Sequence, residues 1–500
     1  MTKSSSSALP SSTIVAVIGA GAMGSGIAHV VAKAGHPVYL FDTNQDALDK
    51  GIAGIKKDLD FLLSKGKLTA EDVSNITGRI KAVNELSAIK DSKLVIEAIV
   101  ENLDVKRKVF ADIEDLLGED AILTSNTSSI SITAIAAKLK RPERLLGVHF
   151  FNPAPRMALV EIVSGVASNP ELAETLFQSA KAWGKVPVHA KSTPGFIVNR
   201  VARPYYAEGL RVLEEQIADV ATIDTLMREG CGFPLGPFEL MDLIGHDVNF
   251  AVTNSVFNAY FGDKRFTPSI TQQELVSAGR FGRKSGHGFY SYAANAPKPQ
   301  AQVATPQSAA TSIAISDDTP QCKALSARLQ AAGIKVSNTP SHSALNLLIT
   351  DGRTATVRSK EESLNTLALF DLVKDMDKTE RIGITFADQT PADARNSIIG
   401  ALQKAGLQVS ILDDVAGLVG MRTVSMLANE AYDVVTQGIA SAEDIDSAMK
   451  FGTNYPIGPI TWSRQIGIAH VFKVLNNLKN HYGEERYRIS PRLIRENAKV

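Results

Sequence analysis

The chain has 500 residues with an ordinary globular composition, 44% hydrophobic and 21% charged, and its length suggests several domains. Its 53 acidic and 53 basic residues balance to zero formal charge, so no electrostatic feature indicates nucleic acid or an anionic membrane surface as a partner. No apolar run reaches the roughly 18–20 residues that span a bilayer.

Cysteine usage and the first residues indicate the compartment. Cys231 and Cys322 are far apart in the sequence and form neither a metal-binding pattern nor a disulfide framework, which favours the reducing cytoplasm and predicts no metal site. The Ser-rich residues 1–12 contain no apolar segment, so we predict an unstructured tail rather than a signal peptide.

The first predicted element is a strand that leads through a glycine-rich turn into a helix. Ile14–Ile18 is β-branched and apolar, the turn follows directly, and a helix over 25–33 ends before Gly35. Glycines permit a tight turn and a close approach of the backbone to a pyrophosphate, and the helix N-terminus offers N–H groups to the phosphates. We therefore predict a dinucleotide site formed by Gly19, Gly21, Ala22, Met23 and Gly24.

The second predicted strand, Pro37–Phe41, ends at Asp42. A carboxylate at this position accepts hydrogen bonds from a ribose 2′-hydroxyl and repels a 2′-phosphate. Because Thr43 and Asn44 follow rather than an arginine, the sequence favours NAD over NADP as the cofactor.

Strand and helix patterns alternate over residues 13–192 and predict a mainly parallel, doubly wound α/β sheet. Further strands are predicted at Leu94–Ile96, Ile122–Ser125, Leu146–Phe151 and Leu159–Val163. Ligands of such sheets bind at the carboxyl ends of the strands.

Four segments follow this α/β domain. We predict a helical domain over 193–292, a linker over 293–319, a small α/β block over 320–413 and a second helical domain over 414–500. The linker is rich in Ala, Pro, Gln, Ser and Thr, a composition that buries too little apolar surface to fold alone. The small block has no glycine-rich turn after a strand, so we expect no dinucleotide there.

The last segment repeats the first helical domain at a constant shift of 222 residues. The shift matches Gly195 with Gly417, Glu208 with Glu430 and Asp224 with Asp446. It also matches Pro234, Gly236, Pro237 and Gly245 with Pro456, Gly458, Pro459 and Gly467. Self-similarity of this kind is typical of two units that pack on each other or share an interface.

Two polar residues interrupt neighbouring apolar strands. His149 lies in Gly147–Phe151, and Glu161 follows it by twelve residues, in Leu159–Val163. A single histidine here is most simply a satisfied core residue. A carboxylate buried beside it favours another interpretation, because it orients the imidazole and stabilises the imidazolium that a general base forms.

Six segments together resemble the NAD-dependent (S)-3-hydroxyacyl-CoA dehydrogenase family. They run in family order over about residues 13–292 and are Gly19–Gly24, Glu97–Asn102, Ser125–Ser129, His149–Pro153, Thr193–Arg200 and Gly282–Tyr290. The resemblance implies a Rossmann-type NAD-binding domain followed by all-α domains, and the small α/β block between two helical repeats resembles a longer bacterial form. It implies oxidation of a 3-hydroxyacyl-CoA thioester to the 3-oxoacyl-CoA, or the reverse, in fatty-acid or aromatic-acid catabolism.

The resemblance also implies residue roles. His149 resembles the catalytic base and Glu161 its electrostatic partner, while Ser128 and Asn199 resemble the groups that bind the substrate oxygen. Further contacts to the cofactor are implied for Ser128, Glu101, Lys106, Asn152 and Lys284. Simpler roles stay open for these residues. Ser128 could serve as a helix cap, and Asn199 could bond to backbone. Lys106 and Lys284 could be solvated surface lysines.

The phosphates of coenzyme A require cations, and lysines cluster after Asp42. Lys56, Lys57, Lys65 and Lys67 lie in a helical stretch where the resemblance places the thioester, and we single out Lys57 and Lys65 as substrate-binding. A solvated helix face is the alternative for each of them.

The second helical copy lacks the residues that carry the chemistry. Met421 stands at the position of Asn199, and no counterpart of Gly282–Tyr290 follows. We therefore predict one active site per chain, in a monomer with an internal pseudo-dimer or in a homodimer. Two rival functions stay open, an NAD-binding structural or sensor protein without catalysis and a dehydrogenase of free hydroxy acids. Acyl length, a methyl or carboxylate tail and the direction of the reaction are also open.

Overall fold

A sheet of eight strands organises the first of two units in the computed structural model, which describes residues 7–316 and 319–500. This unit comprises the chain up to Val198 together with Gly438–Thr453, and the second unit comprises Asn199–Gln437 and Asn454–Val500. Residues 1–6 of the predicted tail lie outside the described residues. Within the described part of the chain, every helix is too short or too polar to cross a bilayer.

The first sheet confirms the predicted Rossmann-type α/β architecture. Its strands are β1 (Val15–Ile18), β2 (Val38–Phe41), β3 (Ile80–Val83), β4 (Leu94–Glu97), β5 (Ile122–Ser125), β6 (Leu145–Phe150), β7 (Leu159–Ser164) and β8 (Val186–Lys191). They lie in the order β3-β2-β1-β4-β5-β6-β7-β8, and among these pairings β6–β7 alone is antiparallel. The strand order reverses between β1 and β4, which is where ligands of doubly wound sheets bind.

The crossover helices of this unit pack their apolar faces on the sheet. They are α1 (Ala22–Lys33), α2 (Gln45–Ser64), α3 (Ala70–Gly78), α4 (Leu103–Leu116), α5 (Ile132–Ala136) and α6 (Pro170–Ala182). Polar side chains begin several of them, because the first N–H groups of a helix have no partner within it. Asn44 accepts from the amide of Asp46 at 2.9 Å before α2.

The second unit begins with the first helical copy. Its helices are α7 (Val198–Val201), which starts at the last residue of the first unit, α8 (Arg203–Glu214), α9 (Val220–Thr225), α10 (Pro237–Ile244), α11 (His246–Ala259) and α12 (Ile270–Ser277). A π-helical turn, Leu226–Gly230, extends α9.

A six-stranded sheet follows in the same unit. Its strands are β9 (Ser312–Ala314), β10 (Lys335–Ser337), β11 (Asn346–Ile349), β12 (Leu367–Phe370), β13 (Arg381–Phe386) and β14 (Gln408–Ile411). The order is β10-β9-β11-β12-β13-β14, with β12–β13 antiparallel. Its helices are α13 (Pro320–Ala331), α14 (Ala355–Glu361) and α15 (Ala392–Lys404).

The structure differs from the predicted linker over 293–319. Residues Ser312–Ala314 form β9, which pairs with β10 and β11. Ile313 and Ala314 are buried there, and Ala304 already bonds to the backbone of Val409 at 2.8 Å. Neither the composition nor the periodicity of this segment indicates β9, because a strand of three residues is too short to show a pattern.

The second helical copy keeps the backbone of the first. Its helices are α16 (Gly420–Thr436), α17 (Ala442–Thr453), α18 (Pro459–Ile466), α19 (Ile468–Tyr482) and α20 (Pro491–Asn497). Left-handed residues recur at the 222-residue shift, with φ of 46° at Phe196 and 54° at Leu418. Such φ values are unusual outside glycine, so their recurrence supports a true structural repeat.

The two copies pack on each other in the second unit through reciprocal ion pairs. Arg200 Nε donates to Glu430 Oε1 at 2.6 Å, and Arg422 Nε donates to Glu208 Oε2 at 2.8 Å. The shift of 222 residues converts one pair into the other. Mutual contacts of this kind define the two-fold interface of a homodimer, and here one chain supplies both halves.

One helix of the second copy belongs to the first unit. Helix α17 packs on β7 and β8. The shift matches α17 with residues 220–231 of the first copy, and part of that segment, the π-helical turn Leu226–Gly230, packs on β13 of the second sheet. Each copy thus contributes a segment to the sheet that precedes the other copy in the chain.

Candidate active site

The glycine-rich turn joins β1 to α1 at the point where the strand order reverses. A Cβ atom on Gly24 would lie 1.8 Å from the carbonyl oxygen of Gly19, and one on Gly19 would lie 2.7 Å from that of Ala98. Side chains are therefore excluded at both positions. A Cβ on Gly21 would meet no atom within 4 Å, and no side chain caps α1. The turn leaves space in front of free helix amides, which fits a pyrophosphate.

Asp42 lies at the carboxyl end of β2, beside this turn. Its Oδ2 accepts from the Ala20 amide at 2.8 Å, and its Oδ1 accepts from the Asn44 amide at 2.9 Å. These bonds fix the carboxylate, and each oxygen retains a lone pair for a further donor. The arrangement fits a ribose hydroxyl, as the sequence predicts.

His149 and Glu161 are direct neighbours across the antiparallel strands β6 and β7. His149 Nδ1 lies 2.6 Å from Glu161 Oε2, and both side chains are buried. The carboxylate therefore fixes the ring with its proton on Nδ1. No described residue forms a hydrogen bond with the other ring nitrogen, Nε2, which is the atom left to exchange a proton.

The second oxygen of Glu161 binds backbone. Glu161 Oε1 accepts from the amides of Ile197 and Val198 at 3.0 and 3.1 Å, at the start of α7. Phe151 and Phe196 pack against the imidazole, with ring centroids 4.5 and 5.9 Å away. The histidine is thus held by a carboxylate that is itself fixed, in apolar surroundings that strengthen the interaction between them.

Glu101 holds the loop that contains Ser128. Its Oε1 accepts from the Thr127 hydroxyl at 2.5 Å and from the Ser128 and Ser129 amides at 3.2 Å each. Burial raises the pKa of Glu101, but the Thr127 hydrogen bond and the charge of Lys106 outweigh it, so the pKa is held below its usual range. Glu101 is an ionised anchor for this loop.

Lys106 is buried rather than solvated, which excludes the simpler role considered for it. Its side chain is 1% exposed, and its Nζ lies 2.6 Å from Glu97 Oε1 and 3.3 Å from Glu101 Oε2. Sequence reasoning missed Glu97, which also accepts from the Ser125 hydroxyl at 2.6 Å. The available signal was a charged residue at the end of an apolar strand.

Asn126 connects the serine loop to the histidine strand. Its Oδ1 accepts from the amide of Phe150, next to His149, at 2.8 Å. Ser128 lies two residues further along this loop and is half-buried. The helix cap that was its alternative role belongs instead to Ser131, whose hydroxyl accepts from Ala134 at the start of α5. Asn126 itself was not singled out from the sequence.

Three more of the predicted residues belong to the first unit and two to the second. Lys57, Lys65 and Asn152 are exposed on the first unit. Asn199 and Lys284 belong to the second unit, where Lys284 Nζ lies 2.7 Å from Asp247 Oδ2. The Asn199 side chain forms no hydrogen bond with any described residue.

The second sheet lacks the histidine–carboxylate pair. At the 222-residue shift, Asp371 stands in place of His149 and Gly383 in place of Glu161, and the Asp371 amide bonds to the Gly383 carbonyl at 2.9 Å. Asp371 Oδ2 accepts from the Gly420 amide at 2.7 Å, so it fixes the helix start as Glu161 does in the first copy. The described part of this copy holds no imidazole at the site.

Three family models match successive parts of the chain. The NAD binding domain of 3-hydroxyacyl-CoA dehydrogenase matches residues 14–193, and the C-terminal domain matches 195–292 and again 417–499. The reduced Rossmann-fold domain of 3-hydroxybutyryl-CoA dehydrogenase matches 347–415. The two C-terminal matches begin at Gly195 and Gly417, which the repeat pairs.

Similar proteins cover either the whole chain or its first part. A 3-hydroxyadipyl-CoA dehydrogenase of Escherichia coli (strain K12) is 46% identical over 95% of both chains. A 3-hydroxybutyryl-CoA dehydrogenase of Clostridioides difficile is 41% identical over 56% of this chain and 99% of its own length. A crystal structure of 3-hydroxybutyryl-CoA dehydrogenase from Escherichia coli K12 matches with a TM-score of 0.89 at 43% identity, covering 98% of this chain and 99% of that one.

Proposed function

The chain belongs to the 3-hydroxyacyl-CoA dehydrogenase family, and from that premise we propose that His149 and Glu161 perform the proton transfer of its reaction. The reaction is the NAD-dependent oxidation of a 3-hydroxyacyl-CoA to the 3-oxoacyl-CoA, and its reverse. The observation that carries the assignment of residues is the 2.6 Å contact between His149 Nδ1 and Glu161 Oε2, which leaves Nε2 for the substrate.

His149 accepts the proton of the 3-hydroxyl on Nε2 during oxidation. NAD, when bound, supplies the hydride acceptor for the C3 hydrogen. Glu161 stabilises the imidazolium that forms, and its two backbone hydrogen bonds keep it in place while the charge develops. In the reverse direction the same imidazolium returns the proton to the carbonyl oxygen. General acid–base catalysis of this kind contributes about 10² to 10⁴ in rate.

Ser128 and Asn199 are proposed to bind the substrate oxygen as it changes between hydroxyl and carbonyl. Hydrogen-bond donors placed where charge develops stabilise the transition state. Two observations support the assignment: the backbone of the Ser128 loop is fixed by Glu101, and the Asn199 side chain has no protein partner among the described residues.

The residues proposed to hold NAD divide into direct and indirect contacts. The turn that contains Gly19, Gly21, Ala22, Met23 and Gly24 would bind the pyrophosphate, and Asp42 would bind the ribose. Glu101, Ser128, Asn152 and Lys284 remain proposed contacts. Lys106 is too deeply buried between Glu97 and Glu101 to be a free surface cation, so we assign it a positioning role through Glu101.

Coenzyme A and the acyl tail complete the proposed substrate. Lys57 and Lys65 are exposed and form no ion pair with described residues, which suits a role in binding phosphates. Short-chain and dicarboxylic acyl groups are both supported, since the similar enzymes are named for hydroxybutyryl and hydroxyadipyl thioesters. Cys231 and Cys322 are both buried and form no disulfide bond, which supports the proposed cytoplasmic location.

A substrate comparison tests the proposed reaction against its rivals. We expect NADH formation, followed by absorbance, with 3-hydroxybutyryl-CoA and NAD, and a lower kcat/KM with NADP because Asp42 repels a 2′-phosphate. Free 3-hydroxybutyrate should give at least about 100-fold lower kcat/KM, since it lacks the remote binding energy of coenzyme A. No turnover of any thioester would favour a catalytically silent NAD-binding protein, and equal turnover of the free acid would favour a hydroxy-acid dehydrogenase.

A further inference from the structure

A cavity of about 380 Å³ lies in the second unit, along one face of α8. Arg203, Tyr206 and Leu210 line it from the helix, and Ser269 and Thr271 line it from the segment that enters α12. Cavities of this size hold parts of small organic ligands. Nothing in the proposed proton transfer uses this cavity.

Arg203 distinguishes the cavity from other buried polar sites of the protein. It is 5% exposed, yet no carboxylate of a described residue lies within ion-pair distance. Its Nε donates to the Asn199 carbonyl at 2.9 Å and its Nη1 donates to the Thr253 hydroxyl at 3.1 Å. The guanidinium stacks 4.7 Å from the Tyr206 ring centroid.

Every other buried arginine of the described chain has a carboxylate partner. These residues are Arg144, Arg200, Arg211, Arg265, Arg358, Arg381 and Arg422. A buried cation without a counter-ion is costly, and burial lowers the pKa of Arg203 below its ordinary value. An anionic ligand in the cavity would supply the missing partner.

The remaining charges around the cavity also favour an anion. Arg211 and Arg486 line it beside Arg203. Each pairs with a carboxylate, Glu208 and Glu484 respectively, but Arg486 Nε is buried without a hydrogen-bond partner. Glu214 is the one carboxylate among the lining residues, and its Oε1 already accepts from the Ser269 hydroxyl at 2.6 Å. Guanidinium groups and hydroxyls together match a carboxylate.

The position of Arg203 relates the cavity to the substrate. Arg203 follows Asn199 by four residues and donates to its carbonyl. Ala202, between α7 and α8, keeps helical φ and ψ of -76° and -14°, so Arg203 lies about 6 Å further along the helical path at 1.5 Å per residue. In a six-carbon dicarboxylic chain, four bonds of about 1.5 Å separate C3 from the terminal oxygens, and the zigzag of the extended chain reduces their span to about 5 Å. An oxygen on C3 held by Asn199 would therefore place a terminal carboxylate within reach of Arg203.

We propose that this cavity binds the terminal carboxylate of a dicarboxylic 3-hydroxyacyl-CoA, with Arg203 as the residue that determines tail specificity. The inference rests on the proposed function, because it takes Asn199 as a contact of the substrate oxygen. It specifies an anionic acyl tail, whereas the proposed function alone is compatible with a methyl or a carboxylate tail.

Two thioesters of equal length test the proposal. 3-Hydroxyadipyl-CoA and 3-hydroxyhexanoyl-CoA both have six acyl carbons and differ only in a terminal carboxylate or methyl group. We expect the native enzyme to prefer the adipyl thioester in kcat/KM. Arg203→Gln should lower kcat/KM for that substrate by about 10- to 100-fold, the range of a hydrogen bond to a charged group, and leave the hexanoyl value within about threefold.

Controls separate recognition from folding. Arg280→Gln removes an exposed arginine of the same unit and should leave kcat/KM unchanged for both thioesters. Arg203→Lys keeps the charge but loses the planar fork, so it should retain only part of the adipyl preference. The turnover of hexanoyl thioester shows in each variant that the protein is folded.

Three other results would overturn the proposal, and one would reject the proposed function. Equal losses on both thioesters in Arg203→Gln, or an unchanged preference in both Arg203 variants, would overturn the proposal. A native enzyme that oxidises both thioesters equally would overturn it too, while the proposed reaction would stand. Failure to oxidise either thioester would instead reject the proposed function.

Discussion

Three carboxylates in the first unit serve as fixed acceptors, two of them buried and the third, Glu101, partly exposed. Glu161 orients His149 and binds two backbone amides, Glu101 anchors the Ser128 loop, and Glu97 binds Lys106 and Ser125. Each of these groups is bound by other groups of the protein. Sites of this kind are preorganised, because reorganisation at the moment of reaction would add to the barrier.

Replacing Lys106 tests the charge balance of this group. Lys106→Met would leave Glu97, which is fully buried, without its cation, and breaking a buried pair in this way costs about 3–5 kcal/mol. We expect that loss in the free energy of unfolding measured with urea. The matched control, Lys108→Met, changes an exposed lysine on the same helix and should stay within about 0.5 kcal/mol of the native protein.

A second substitution identifies the cause. If the loss arises from uncompensated charge, Glu97→Gln combined with Lys106→Met should recover part of the stability. Equal stability of the Lys106→Met and Lys108→Met variants would contradict the account of a charge-balanced anchor.

At the scale of elements, two pairings position the functional groups. The antiparallel pair β6–β7 sets His149 opposite Glu161. Helix α8 packs on α16, and the reciprocal arginine–glutamate pairs join α7 and α8 to α16. Residues that lie directly opposite each other on an antiparallel strand pair have neighbouring side chains. The helices are joined by buried ion pairs, which add little net stability but leave a costly unpaired charge when one partner is removed.

The reciprocal pairs predict matched effects of two substitutions. Arg422 is fully buried and bonds to Glu208, Glu215 and two tyrosines. Both Arg422→Met and its counterpart Arg200→Met should destabilise the chain by about 3–5 kcal/mol, as measured by urea unfolding. Arg464→Met, on an exposed position of α18, is the control.

A strong effect of one arginine and none of the other would contradict the symmetric arrangement. In that case the repeated backbone would be retained without a repeated interface.

At the scale of the whole molecule, the sequence predicts those features that neighbouring residues in the chain determine. The glycine turn, Asp42 and the family resemblance predicted an NAD-binding Rossmann-type domain, and this is confirmed. The constant 222-residue shift predicted a second helical copy, which the paired left-handed residues support. The proximity of His149 and Glu161 followed from two polar residues in neighbouring apolar strands.

Other features depend on tertiary partners that a sequence does not specify. The amphipathic pattern of α17 shows that one face is buried, but not that it packs on β7 and β8 of the first unit. In the sequence, Lys106 cannot be distinguished from a surface lysine, and only the structure shows its ion pair with Glu97. Strand β9 is too short to have a pattern. Arg203 stands out only when the partners of all buried arginines are compared.

The repeated architecture supports a proposal about assembly. The match of shorter similar enzymes to about half of this chain, together with the reciprocal pairs, suggests that the second copy supplies the interface a separate subunit would otherwise provide. One sheet keeps the histidine pair, and the other has Asp371 in its place. We propose one active site per chain on this basis.

The central claim is that His149, held by Glu161, exchanges the substrate proton while NAD binding depends on other residues. The most direct test measures kcat for 3-hydroxybutyryl-CoA and the Kd for NADH in the native enzyme and in His149→Gln. We expect kcat to fall by at least about 100-fold, the lower end of general acid–base catalysis, with an unchanged Kd. Native turnover in the variant, or a loss explained entirely by weaker NADH binding, would contradict the account.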